Sequence, residues 1–399
     1  MSIFKIPNNI INLNDSNIKL QFNKKEPIPI INNSISNYLK KIKDKIDDKP
    51  YEWNIHKKFT NIYEYIHTNI NINSSSISKI KPISRAFYKL IEIYITFDIL
   101  NIYEKKNIKT FHFAEGPGGF IEATSFLRNN SNDKYYGTTL IEQNNKNIPI
   151  WKKSHILNNQ SNIFIENCFD NTGNLYNPDN YNHILNNYYN SFDIVTADGG
   201  IDFSENFDKQ ELMAFKLILC EIFYSITVLK KGGTFILKLF DIFHKPTIQC
   251  VYLLSTIFNE VYITKPKTSR SGNSEKYIVC KDFNAINRDK LIKKFYKSLI
   301  VFNNIGTDFF IESFLNIPMQ HIFMSKIQDI NIILGNKQIK NILTTLKLIN
   351  NNEKKSDKIK IYKNENIQKC ILWCIKFDIP YNKKAKSNNI FLENRKLKN

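Results

Sequence analysis

No stretch of this chain approaches the roughly 20 consecutive apolar residues that a membrane-spanning helix needs, and its first ten residues, MSIFKIPNNI, lack the apolar core of a secretory signal. The expectation is a soluble, intracellular protein with no membrane partner. Cysteine is scarce, six in 399 residues, and no two stand in the C-x-x-C spacing that holds zinc. That argues against a disulfide framework or a thiolate metal site and for reduced, buried thiols. Cys370 and Cys374 fit this reading, four apart on one face of an expected helix. No internal repeat is visible. Arginine is rare beside lysine, and with the abundance of Asn and Ile this reads as the output of an AT-rich genome, so the Asn-rich runs are not taken as disorder.

What is present suffices for a core: 42% of the residues are hydrophobic, and the length allows one large domain with appendages or two domains. Charge is unevenly spread. The formal net charge is +19, with 12 basic and 7 acidic side chains in residues 1–80, 22 and 21 in 81–285, and 22 and 9 in 286–399. A near-neutral centre with a basic flank suits a protein that holds a polyanion while a separate site does chemistry on it. A solvated, lysine-rich surface is the plain alternative.

The centre alternates strands and helices. A helical pattern begins at Ser84 (SRAFYKLIEIYITFDIL). Residues 109–121, KTFHFAEGPGGFI, read as strand, tight turn and helix. Glycines there let a backbone approach a ligand, and a helix start leaves amides free for a polar group. Further strands are expected at 134–140, 162–166, 192–197, 234–240, 261–264 and 275–280, with helices at 209–229, halted by Lys231, Gly232 and Gly233, and at 246–258. Such alternation means parallel β-α-β units and an open, doubly wound α/β sheet with helices on both faces, which binds ligands at the carboxyl ends of its strands. Residues 1–80 form a mixed extension, with a short amphipathic helix expected at 38–49 and a polar linker at 74–78. Residues 286–399 form a basic, mainly helical appendage, with helices near 288–302 and 338–348 and a charged linker at 350–360.

Four ionic residues do not belong to packing. Lys238 interrupts an otherwise apolar strand, FILKLF, and an ammonium deprived of water is costly unless paired and loses its proton more readily. Asp198 closes the apolar FDIVTA strand before two glycines. Glu275 opens the last strand, and Lys89 lies within a helix. A structural ion-pair network and a reactive site both account for such a set.

Together SRAFYKL with Lys89, FAEGPGGF, VTADGG with Asp198, FILKLF with Lys238 and KTSRSGNSEKYIV with Glu275 resemble, in order, the motifs of the FtsJ-type S-adenosylmethionine-dependent RNA ribose 2′-O-methyltransferases. The branch most resembled comprises the mRNA cap methyltransferases of eukaryotes and large DNA viruses. The resemblance spans about residues 80–283 and implies a Rossmann-like class I methyltransferase domain (81–285) with a mostly parallel seven-stranded sheet. It implies a catalytic Lys-Asp-Lys-Glu tetrad, carried here by Lys89, Asp198, Lys238 and Glu275, around the target ribose. S-adenosyl-L-methionine would lie over Glu115, Gly116, Pro117, Gly118, Gly119 and Phe120. Asp170 would meet its adenine and residues 138–142 its ribose, with a plain turn or loop role as the alternative for each, and Asp198 would face both cofactor and substrate.

The chemistry agrees with these residue types. Transfer from a sulfonium to a ribose hydroxyl is an in-line displacement that needs a positioned oxygen and a proton acceptor, which assigns Lys238 as base and requires no metal. RNA phosphates are expected at Arg85, Lys245, Ser269 and Arg270, with Lys265 and Lys267 as further candidates. The implied partners are capped mRNA and other capping or transcription proteins, in cytoplasm or nucleus, or in a virion or viral factory for a viral member. An rRNA or tRNA ribose methyltransferase and a catalytically silent RNA-binding subunit are the alternatives. The long flanks favour the cap enzyme over the first, and a lysine inside a buried strand argues against the second.

Overall fold

The computed structural model describes residues 1–8, 13–70, 75–142, 150–151, 161–200, 209–305, 309–350 and 355–382. At the amino end, strands β1 (Ser2–Ile6) and β2 (Ile18–Asn23) precede helices α1 (Asn33–Asp47) and α2 (Pro50–Thr60). The alternating region follows, opening with α3 (Ala86–Thr96), β3 (Lys109–Phe113), α4 (Gly119–Arg128), β4 (Lys134–Gly137) and β5 (Ile163–Ile165). It continues through α5 (Pro178–Tyr188), β6 (Phe192–Ala197), α6 (Gln210–Val228), β7 (Leu229–Leu239), α7 (Lys245–Ile257), β8 (Phe258–Lys265) and β9 (Lys276–Phe283). The carboxyl flank holds α8 (Arg288–Asn304), β10 (Phe310–Leu315), α9 (His321–Asn350) and α10 (Lys355–Lys376).

Eight strands form the main sheet in the order β1-β8-β9-β7-β6-β3-β4-β5. From β7 to β5 neighbours run parallel, while β9 is antiparallel to both β7 and β8. This is the expected seven-stranded, doubly wound sheet with one addition. The extension supplies β1, which pairs antiparallel with β8 at the edge. Strand order reverses at β3, between β4 on one side and β6 on the other. In sheets of this type the loops that leave the carboxyl ends of the strands diverge at such a reversal, which is where ligands bind.

Alternation along the strands divides the core between two faces. Val195, Ala197, Phe235, Leu237, Ile278 and Cys280 pack with α5 to α8, whereas Ile194, Ile236, Tyr277 and Val279 pack with α3, α4 and α10. Lys238 lies two residues beyond Ile236, and Glu275 two before Tyr277. Period two therefore puts both on the α3 face, where Lys89 arrives from above.

The flanks depart from expectation. Residues 74–78 are no free linker: Ser76 and Ser78 are buried, and Ser78 bridges Tyr381, with Ser74 outside the described residues. The linker expected at 350–360 is mostly helix, since α10 starts at Lys355. The appendage is woven in. Ile367, Cys370, Ile371, Trp373, Cys374 and Phe377 of α10 enter the apolar cluster of α3, β10 pairs with β2, and the hydroxyls of Thr60 and Thr345 meet at 2.6 Å. All six cysteines are free and buried. The helix expected at 209–229 ends at Val228, and Lys231, Gly232 and Gly233 after it form a bulge within β7, where Gly232 takes φ +77° and the register with β6 shifts. No helix among the described residues is long and apolar enough to cross a membrane.

Candidate active site

The ends of β6, β7 and β9 and the middle of α3 bring the four ionic residues together. Lys89 Nζ lies 2.7 Å from Glu275 Oε2, and Lys238 Nζ lies 3.4 Å from Asp198 Oδ1 while donating to the Asp198 carbonyl at 2.6 Å. Lys89, Lys238 and Glu275 are all buried, none more than 9% exposed. Burial works against ionisation of Glu275. The ammonium groups of Lys89 and Lys238 and the hydrogen bond from Lys89 outweigh it, so the carboxyl is held well below its ordinary value. Its other oxygen, Oε1, is buried without a hydrogen-bond partner. A charged, unpartnered acceptor at a strand end is a place where a hydroxyl donor from a substrate would be satisfied.

Two residues of this cluster were not singled out from the sequence. Tyr277 donates its hydroxyl to Asp198 Oδ1 at 2.8 Å, and Lys89 Nζ lies 5.8 Å from its ring centroid. Its spacing of two from Glu275 was the available signal. Glu221 of α6 sits beneath the glycine turn after β6, accepting from the Gly199 amide at 3.0 Å. Burial pushes its carboxyl up to about 8, with the Lys238 charge opposing and Asp198 reinforcing the shift. An acid within the apolar run LILCEIFY could have been read as Lys238 was.

At the crevice beside β3, the turn of Gly116, Pro117, Gly118 and Gly119 connects strand to helix, with Gly118 at φ +113°. The helix start is not open, as expected, to a ligand. Glu115 Oε1 accepts from the Phe120 and Ile121 amides at 2.7 and 2.9 Å. Burial drives the Glu115 carboxyl up, the two amide bonds oppose this, and the Asp198 charge adds to it. Glu115 thus shapes the loop by capping α4. The neighbouring segments converge on it: the Glu115 amide donates to the Thr138 carbonyl at 3.0 Å, and Ile141 N donates to Thr172 O at 2.7 Å. Asp170, expected at an adenine, is exposed and accepts four bonds from Thr172, Asn177 and Asn180, which order its own turn.

The expected phosphate contacts divide. Ser269 is buried, with its hydroxyl on Asn273, so it is not presented to a strand of RNA. Arg270 is forked on Glu64 at 2.7 and 3.0 Å, and Arg85 donates to the Thr268 carbonyl at 2.9 Å with Glu64 3.9 Å away. Burial of Glu64 is overcome by the Arg270 hydrogen bond and the charges of Arg270 and Arg85, which hold its carboxyl at about 2. Lys265 is tied to the loop before Glu275. Lys267 is exposed, and Lys245 is half-buried at the start of α7.

Residues 82–283 match the model of the FtsJ-like methyltransferase family. Among curated relatives, the chain is 31% identical over 235 residues to cap-specific mRNA (nucleoside-2′-O-)-methyltransferase 2 of Drosophila melanogaster, covering 55% of this chain and 33% of that protein. The corresponding protein of Danio rerio is 31% identical over 267 residues, with 63% and 35% covered. Cap-specific mRNA (nucleoside-2′-O-)-methyltransferase 1 of Mus musculus is 32% identical over 192 residues, with 45% and 22% covered. The chain thus spans about a third or less of the length of these relatives.

Proposed function

Because the chain belongs to the FtsJ-like methyltransferase family, we propose that it methylates the ribose 2′-oxygen of RNA at the first transcribed nucleotides beside an mRNA cap. The observation that carries this reading is the pair of buried lysine–carboxylate contacts, Lys89 with Glu275 and Lys238 with Asp198, gathered around an unpartnered Glu275 oxygen. The crevice at β3 suits S-adenosyl-L-methionine. It lies where strand order reverses, and the indole Nε1 of Trp151, beside Gly137, is buried without a partner. The cofactor, when bound, supplies the electrophilic methyl group.

The chain's own residues do the rest. Glu275 Oε1 accepts the hydrogen bond of the 2′-hydroxyl as the ribose docks; for transfer that O–H turns to the neutral amine of Lys238, which is steered by the Asp198 carbonyl and takes the proton as the oxygen lone pair forms the new bond to the methyl group. Lys89 holds Glu275, and Tyr277 holds Asp198. Capped mRNA is the substrate in this reading, with the nucleus or cytoplasm as its place and capping or transcription proteins as its company.

The test is methyl transfer from labelled cofactor by the full chain onto one RNA prepared with an N7-methylated cap, an unmethylated cap or a triphosphate end, followed by mapping of the modified nucleotide. Label at the first or second nucleotide of capped RNA is expected. Equal internal labelling of uncapped RNA would instead mark an rRNA- or tRNA-type enzyme, and RNA binding without transfer a silent domain.

A further inference from the structure

Behind Glu275 a further lysine, half-buried, makes contacts that the mechanism does not use. Lys265, at the end of β8, donates to the Glu275 carbonyl at 2.6 Å, to the Asn273 carbonyl at 2.9 Å and to Asn273 Oδ1 at 2.8 Å. An ammonium has three donors, and three short bonds use them all. The acceptors lie within residues 273–275, the last residues before β9. We propose that Lys265 is a positioning residue of the methyl-transfer site: its ammonium ties the loop that delivers Glu275 and so keeps the Glu275 carboxylate against Lys89.

Two features make this more than a loop contact. The tie fixes the backbone of Glu275 itself, so releasing it frees the carboxylate that Lys89 grips at 2.7 Å. The Lys265 charge is also among those that hold Glu275 ionised. Ionic groups surround it from every packed element: Glu275 just before β9 and Lys276 on it, Lys89 on α3, and Asp241 beyond β7, itself paired with Lys43 of α1 and Lys276. Burial, reinforced by Lys276 and Lys89 and opposed by Glu275 and Asp241, pulls the ammonium down to about 7. Its third donor is therefore present below that pH and lost above it. From the far side α9 closes the same loop, with Gln338 donating to the Gly272 carbonyl at 3.3 Å.

The inference rests on the methyl-transfer reading, and its test separates the two. Lys265→Met and Lys265→Arg are made in the full chain. Amide hydrogen exchange of residues 270–277 is read without RNA, and single-turnover transfer with it. In Lys265→Met, exchange in this loop is expected to rise about tenfold or more, and the transfer rate to fall about 10- to 100-fold with the KM for RNA changed less than about threefold. Lys265→Arg is expected to restore most of the protection and rate. It should also lack the rise in loop exchange, corrected for intrinsic rate, that the wild type shows as pH passes about 7. Exchange and rate in Lys265→Met equal to wild type would overturn the proposal, as would an Arg variant whose loop opens through pH 7 like the wild type. If the wild type transfers no methyl group, the methyl-transfer reading fails, while the exchange arm still decides whether Lys265 ties the loop.

Discussion

The core of this chain and its flanks divide the site between them. Residues 81–285, with 22 basic and 21 acidic side chains, hold the groups assigned to the reaction; residues 286–399, with 22 and 9, hold none of them. Yet the flanks grip the elements on which those groups ride. Glu64 of the amino-terminal extension binds Arg270 in the loop before Glu275, Trp373 of α10 donates to Glu92 of α3 at 3.3 Å, and Lys43 of α1 pairs with Asp241 beyond β7. Glu92 in turn accepts the amides of Lys267 and Thr268. Chemistry and its support are thus separated in sequence while they are continuous in space. A charge-rich flank is here part of the scaffold.

The largest effect is expected when the carboxyl flank is cut. A chain ending at residue 354 loses Ile367, Cys370, Ile371, Trp373, Cys374, Phe377 and Ile379, all buried against the α3 side of the sheet. At about 1.5–3 kcal/mol for each of the five large side chains, this is comparable with a total stability of about 5–15 kcal/mol. The expected outcome is loss of the cooperative thermal transition; a melt like that of the full chain would show the flank to be a true appendage. For the same reason, deletion cannot isolate a role of the basic tail in RNA binding.

Lys238→Met probes the core alone. Transfer is expected to fall about 10²- to 10⁴-fold, with cofactor affinity by calorimetry unchanged and a cooperative thermal transition retained, shifted by the loss of the Asp198 pair; retained transfer would remove Lys238 from the chemistry. Glu64→Gln sharpens the contrast from the flank side. It leaves two guanidinium groups, each partly open to solvent, facing each other without their carboxylate, which costs about 1–3 kcal/mol, less than opening a fully buried pair. Because the Glu64 carboxyl is lowered from 4.5 to about 2, its contribution is complete above the ordinary carboxyl value and disappears as pH falls through about 2. The stability gap between wild type and variant, from denaturant titrations, should close over that window, and a gap independent of pH would contradict the pairing. The smallest effect is expected for Tyr277→Phe. Losing one hydrogen bond to Asp198 is worth about 1 kcal/mol, or roughly fivefold in rate, with KM unchanged; a fall in RNA affinity instead would place Tyr277 at the substrate.

Much of the core was legible because its signals are local. Apolar strands ended by a charge, as at Asp198 and Lys238, announce themselves in a few residues, and the order of β-α units dictates that their ends share a rim. Glu115 was legible as a residue of the glycine turn but not as the cap of α4, because that bond depends on how the turn folds back. The flanks were hidden for another reason. Whether α10 is an appendage or a core helix depends on what covers its apolar face, and the partners of Trp373 and Cys370 lie nearly 300 residues away in sequence. Glu64 and Arg270 each read as a surface charge until the fold joins them across 206 residues.

The most direct measurement for the whole account is methyl transfer onto capped RNA whose first two transcribed nucleotides carry either ribose or 2′-deoxyribose. Label is expected on the ribose substrate and none on the deoxy substrate, at equal RNA binding. Undiminished labelling of the deoxy substrate would place the methyl group elsewhere than the 2′-oxygen and contradict the role given to Lys238 and Glu275.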